Sequence, residues 1–136
     1  MNNFTDVGDF HEKFDLPRTS SCRPQPDDNL APELIPFRAK FLQEELDEFN
    51  EGREQGDHAQ MFDALLDLVY VAMGTAHLLN YPWEAGWDAV QAANMAKVRT
   101  RNEADSKRGS SWDVVKPKGW VAPDIDAILY GGEDFS

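Results

Sequence analysis

In the stretch QEELDEF, residues 43–49, acids occupy positions that a soluble helix should make apolar. On a helical wheel with Glu44 at 0°, Leu34, Phe37, Phe41 and Phe49 fall between about 20° and 140°. Glu45 at about 100° and Glu48 at about 40° fall inside that arc. Asp47 and Glu51 fall outside it and read as ordinary surface acids. The next apolar stretch, MFDALLDLVYVAMGTAHLL, repeats the pattern. It is apolar nearly all round, the mark of a central, buried helix, yet Asp63, Asp67, Tyr70, Gly74 and His77 run along one meridian of it. A buried carboxylate is costly unless it is paired or bound to metal. Acids on two neighbouring helices repel unless protons or cations compensate. Hard divalent cations such as Mg²⁺ or Mn²⁺ take oxygen ligands of this kind. The candidate metal ligands are therefore Glu45, Glu48, Asp63 and Asp67. His77 lies more than two turns beyond Asp67 and reads as a satisfied core histidine. The plainer alternative is a set of acids that face solvent or pair with Arg38 and Lys40.

A third stripe supplies a complement. Trp83, Trp87, Val90, Asn94 and Lys97 share one helical meridian. The tryptophans suit a core or an oligomer interface. Asn94 and Lys97 lead into a basic segment, where Lys97 would meet a phosphate and Asn94 orient one. Of the chain's 13 basic residues, Lys97, Arg99, Arg101, Lys107, Arg108, Lys116 and Lys118 all fall in positions 97–118, opposed only by Glu103, Asp105 and Asp113. This is a positive segment in a chain of net charge −12. It reads either as a solvated loop or as a clamp for a small polyanion.

The elements that must hold these residues are helical. FTDVGDFHEKF, residues 4–14, suits a short amphipathic helix. Residues 15–30 carry three prolines among polar residues and read as an irregular loop. A long helix is expected from Pro32 or Leu34 to about Arg53, ended by Gly52 and Gly56. Asp57 suits the N-cap of the next helix, running to about Asn80. Pro82 fits the first turn of a third, ending near Val98. A basic loop follows, then one helical turn near 124–129. The sequence contains no convincing strand. An all-α single domain over residues 1–136, a small bundle, is the expected class.

The 136 residues suffice for one real core. The acidic start MNNFTDVGDF has no apolar run of a secretory signal. The longest uncharged stretch, 68–83, is short and polar for a membrane span. A lone Cys22, in TSSCRPQP with no histidine beside it, suits a reducing cytoplasm and is a poor nucleophile candidate. The strong negative charge argues against binding a nucleic-acid polymer.

Taken in order, these segments resemble the all-α NTP pyrophosphohydrolase superfamily of MazG, the dimeric dUTPases and phosphoribosyl-ATP pyrophosphohydrolase. The likeness is to the short MazG-like proteins common in phages. It is carried by VGDFHEKFDLP at 7–17, RAKFLQEELDEF at 38–49, DALLDLVYVAMGTA at 63–76, NMAKV at 94–98 and KPKGWVAPDIDAIL at 116–129. The second segment matches an E-E-x-x-E motif as Glu44, Glu45 and Glu48. The superfamily's E-x-x-D motif is altered here. Ala64 stands three residues before Asp67, and Asp63, four before, takes the acidic role.

The resemblance implies a MazG-like bundle of three long helices with a short N-terminal helix and an irregular tail, assembled as a homodimer or homotetramer. It implies hydrolysis of a nucleoside triphosphate to the monophosphate and pyrophosphate, with Mg²⁺ or Mn²⁺ as cofactor. Either Glu44 or Glu45 would take the proton from the attacking water. Lys97 and the basic residues of 107–118 would stabilise the leaving pyrophosphate. Candidate substrate contacts are Arg38, His11, Asn94, Lys97, Lys116, Lys118 and Trp120, with Phe10 and Phe14 as further pocket walls. Phage relatives point to a purine deoxynucleotide such as dGTP, in a host cytoplasm if the chain is phage-encoded. A dUTP or dCTP pyrophosphatase stays open. So does a family member that only binds nucleotides, and so does an acidic decoy that mimics DNA charge. A mimic, however, would carry its acids outside rather than on apolar helical faces.

Overall fold

The computed structural model describes residues 2–18 and 32–131. Cys22 and the expected loop beyond Arg18 lie outside the described residues. The described chain is mostly helical, as expected, and divides into two compact units, Met1–Trp83 and Glu84–Ser136.

The first unit holds α1 (Asn3–Lys13), α2 (Leu34–Gln55) and α3 (His58–Leu78). Asn2 caps α1 by accepting from the Thr5 N–H at 2.9 Å. α2 ends at Gly56, whose φ of 69° places it in the left-handed region that a side chain disfavours. The Asp57 N–H closes back on the Gly52 carbonyl at 2.8 Å, a Schellman stop. Asp57 then caps α3 by accepting from the Gln60 N–H. So short a turn forces α2 and α3 into an antiparallel hairpin. Gly52 does not end α2, as the sequence suggests. It is buried inside the helix, where an added Cβ would stand 3.1 Å from the Met61 backbone nitrogen. Its lack of a side chain lets the first turn of α3 close on α2.

α1 packs on α3, and its Val7 is 2% exposed. Phe4 stacks on His77 with ring centroids 3.8 Å apart. α3 is long and apolar enough to cross a membrane by length and composition. Its packing against α1 and α2, with two aspartates along it, is the pattern of a core helix. It is less buried than expected, however. Ala64, Val71 and Leu78 are covered, while Phe62, Leu65, Leu66 and Val69 form an exposed stripe, with Phe62 at 64%. Two helices can cover only one side of a helix that is apolar all round.

The second unit holds all but the first residue of α4 (Trp83–Met95), then β1 (Val98–Arg99), a 3₁₀ turn at Glu103–Asp105, β2 (Val114–Val115) and α5 (Ile125–Tyr130). α4 stops three residues short of Val98, which lies instead in a two-residue antiparallel ladder with Val115. Such a ladder is too short to leave an alternation in the sequence. The Thr100 N–H and hydroxyl both donate to the Asp113 carbonyl at 3.1 Å and hold the hairpin shut. Asp124 caps α5, close to the expected helical turn.

Candidate active site

The α2–α3 hairpin brings Glu45, Glu48 and Asp67 together. One carboxylate oxygen from each lies within 4.8 Å of the others. Glu45 comes from the buried face of α2 and is 8% exposed; Asp67 is half-buried and Glu48 exposed. The acids are thus less uniformly buried than their helical angles imply, because one edge of the seam is open. Gln60 fixes the register. Its side-chain amide donates to the Glu48 carbonyl at 2.9 Å and to the Glu51 carboxylate at 3.0 Å. Asp63 is exposed and falls outside the group of three, one turn before Asp67. Glu44 is exposed on α2 and also outside the group.

Glu45 is the strained member. Burial pushes its pKa up, and the neighbouring charges of Glu48 and Asp67, then Asp63, add to it, raising it from 4.5 to about 7. Its Oε1 is buried with no hydrogen-bond partner among the described residues. Such an oxygen costs free energy until something positive or protic meets it. The donor set is all carboxylate oxygen, which fits a hard divalent cation.

Two turns earlier on the same face of α2 lies a second polar cluster. Arg38, 9% exposed, donates from Nε to the Thr75 hydroxyl at 3.0 Å and from its terminal nitrogen to the Val71 carbonyl at 2.9 Å. It therefore pairs with α3 rather than with the acids. His77 Nε2 donates to the Phe4 carbonyl at 2.8 Å, and Arg18 donates to His77 Nδ1 at 3.0 Å. His77 is thus a satisfied core histidine, as its spacing suggests. His11 is buried between Arg38, His77 and Arg18, and its Nδ1 has no partner among the described residues. Burial first, then Arg38, His77 and Arg18, lower its pKa from 6.5 to about 4, so its ring is neutral at pH 7. An added Cβ on Gly74 would stand 2.6 Å from Arg38 and 2.7 Å from His11 Nε2. The sequence placed Gly74 on the polar meridian of α3, which was the one signal of this convergence.

The remaining candidates lie in the second unit. Asn94 is exposed near the end of α4, and its carbonyl accepts from the Lys97 N–H. Lys97 and Lys116 extend over the Trp120 ring. Lys118 lines a separate groove of about 510 Å³ with Ala89, Ala93 and Trp120.

The model of the phosphoribosyl-ATP pyrophosphohydrolase family matches residues 7–94, from the middle of α1 to the end of α4. The chain belongs to that family. Phosphoribosyl-ATP pyrophosphohydrolases fall within the MazG-like all-α superfamily, so the resemblance drawn from the sequence holds at that level, and with it a nucleotide pyrophosphohydrolase activity. The matched span contains Glu45, Glu48, Asp67, Arg38 and His11 and stops short of the basic segment. No curated protein matches the chain.

Proposed function

We propose that the chain hydrolyses a purine deoxynucleoside triphosphate, of the dGTP type, to the monophosphate and pyrophosphate, using Mg²⁺ or Mn²⁺. The observation that carries the cation-dependent hydrolysis is the convergence of Glu45, Glu48 and Asp67 around an oxygen that is buried and unpartnered among the described residues; the purine assignment rests on the resemblance to phage relatives. These three residues would hold the cation, and Asp63 would reach it through water. When bound, the cation neutralises phosphate charge and lowers the pKa of water. Glu45 is one candidate to take the proton from the attacking water. Glu44 is the alternative proton acceptor. Water adds to the α-phosphorus, its proton passes to the carboxylate, and the bond from α-phosphorus to the bridging oxygen breaks with pyrophosphate leaving. The family's own name favours a second substrate, phosphoribosyl-ATP, which presents the same kind of bond.

The exposed stripe Phe62, Leu65, Leu66 and Val69 has the i, i+3, i+4, i+7 spacing of a helix-packing seam. It supports a homodimer or homotetramer built on α3. The deciding experiment incubates the purified chain with each dNTP, each NTP and phosphoribosyl-ATP, with Mg²⁺, with Mn²⁺ and with EDTA, and separates the products. Cation-dependent pyrophosphate release with one preferred purine monophosphate is the expected result. Preference for phosphoribosyl-ATP would select the second substrate, and a preference for dUTP or dCTP would remove the purine assignment. No turnover of any nucleotide would sink the enzymatic reading.

A further inference from the structure

Glu45 and Glu48 stand three residues apart on α2, so the helix itself fixes their spacing. Asp67 belongs to α3, and only the register of the hairpin brings one of its carboxylate oxygens within 4.8 Å of theirs. Distances of about 2.0–2.6 Å between a hard cation and its oxygen ligands leave little slack. A slide by one residue's rise, about 1.5 Å, is enough to take Asp67 out of such a set. The three carboxylates also repel one another and push the two helices apart. A contact that resists both movements is needed near the cluster.

Gln60 supplies that contact. It is the third residue of α3, after the Asp57 cap that accepts its N–H. A glutamine in this position ordinarily reaches back to the N–H of the capping residue. Here the Gly52 carbonyl already takes the Asp57 N–H at 2.8 Å, and the Gln60 side chain crosses to α2. Its amide nitrogen donates to the Glu48 carbonyl at 2.9 Å and to the Glu51 carboxylate at 3.0 Å. The two acceptors stand almost one turn apart, so the amide opposes rotation of α2 as well as sliding. Among the described residues, it makes the hydrogen bond from α3 that ends on a residue of the cluster. Gly52 against Met61 limits how closely the helices approach, but a van der Waals contact opposes sliding less than a directional bond does. Asp67 lies seven residues beyond Gln60, about 10 Å along one stiff helix, so a shift at Gln60 is carried to Asp67.

We propose that Gln60 is a positioning residue, whose amide holds Asp67 opposite Glu45 and Glu48 against their mutual repulsion and so sets the affinity of the three acids for a divalent cation. The consequence for affinity rests on the cation site proposed above. The clamping of like charges rests on the hairpin alone.

The test is a double-mutant cycle of Gln60→Met and Asp67→Asn in the full chain. Methionine keeps the length of the side chain and removes its donor. Mn²⁺ binding is read from the paramagnetic resonance of the free ion, and denaturant unfolding is read separately in EDTA. Gln60→Met should weaken Mn²⁺ binding about tenfold in the wild type, the lower end of the range for groups that orient metal ligands. In Asp67→Asn the same change should cost less than about twofold, because the carboxylate that Gln60 positions is gone. In EDTA, Asp67→Asn should raise the unfolding midpoint by relieving repulsion, and by less in Gln60→Met, where the helices are already free to part. Equal losses of Mn²⁺ affinity in the two backgrounds would make Gln60 a general structural contact and overturn the proposal. So would an unchanged affinity in Gln60→Met, or equal midpoint shifts in EDTA. Absence of Mn²⁺ binding in the wild type would sink the cation site of the proposed function, and the EDTA cycle would still decide whether Gln60 clamps the acids together.

Discussion

Glu45 and Arg38 stand two turns apart on one face of α2 and look across the same seam at α3, yet they meet opposite surroundings. Glu45 meets two more carboxylates and keeps a buried oxygen unpartnered. Arg38 meets a hydroxyl and a carbonyl, one at Nε and one at a terminal nitrogen. The difference is one of charge: the first group gathers like charges, and the second sets a cation among neutral hydrogen-bond acceptors. Like charges this close lower the stability of the fold wherever they are not compensated by a proton or a cation. Arg38 and His77 instead bond to neutral groups of α3 and α1, the Val71 and Phe4 carbonyls and the Thr75 hydroxyl, while the Nδ1 of His11 beside them has no partner among the described residues.

The sharpest way to break this comparison is Glu48→Gln. Turnover should fall roughly 10²–10⁴-fold, the scale expected for groups acting on the reacting water, while the cation-free protein melts at a higher temperature because one repelling charge is gone. Pyrophosphate release and calorimetry on the same sample check both halves. A loss of activity accompanied by a lower melting temperature would mean that the cluster is a brace as well.

Arg38→Met should behave in the opposite way. It removes charge-assisted bonds to Thr75 and Val71 and should cost about 2 kcal/mol in denaturant unfolding, with KM per folded molecule nearly unchanged. A raised KM at an unaltered unfolding midpoint would return Arg38 to the substrate contacts. Gly74→Ala tests the same cluster by crowding. Its Cβ would stand 2.6 Å from Arg38 and 2.7 Å from His11, so one of them must move, at roughly 1–3 kcal/mol.

The two clusters also have opposite pH signatures. Glu45 is raised from 4.5 to about 7, so across that window the folded state keeps a proton that the unfolded chain has released. Its contribution to cation-free stability therefore falls as pH rises. His11 is lowered from 6.5 to about 4, so the unfolded chain holds the extra proton and stability rises with pH across that window. In the wild type the two slopes oppose each other where the windows overlap. Melting curves in EDTA should show a rise with pH in Glu45→Gln and a fall in His11→Asn, with the wild type flatter than either. Saturating Mg²⁺ should remove the Glu45 fall. The smallest effect is expected from Arg18→Ala, about 0.5–1 kcal/mol, since Arg18 is exposed and gives His77 one hydrogen bond.

Much of this was legible in the residues. The capping at Asp57, the stop at Gly56, the helical class and the conflict between Glu45 and its apolar arc all follow from local chemistry, because each depends on neighbours within a turn or two. Gly52 was misread as a stop because a glycine that ends a helix and one that admits a neighbouring helix look alike in sequence. The exposed stripe of α3 was misread as buried because apolarity records what can be covered and not which face the described neighbours cover.

The sequence by itself determined which faces of α2 and α3 carry Glu45, Glu48, Asp63, Asp67, Gly74 and His77, since the helical repeat fixes the angle of every side chain about its own axis. It could not fix how far one helix slides along the other. That register was decided by the tertiary structure, through Gly52 against Met61, Gln60 on the Glu48 carbonyl, and Arg38 lodged beside Gly74. One turn of sliding would exchange Asp67 for Asp63 opposite Glu45. The close approaches select Asp67, because these contacts between atoms far apart in sequence form together in only one alignment.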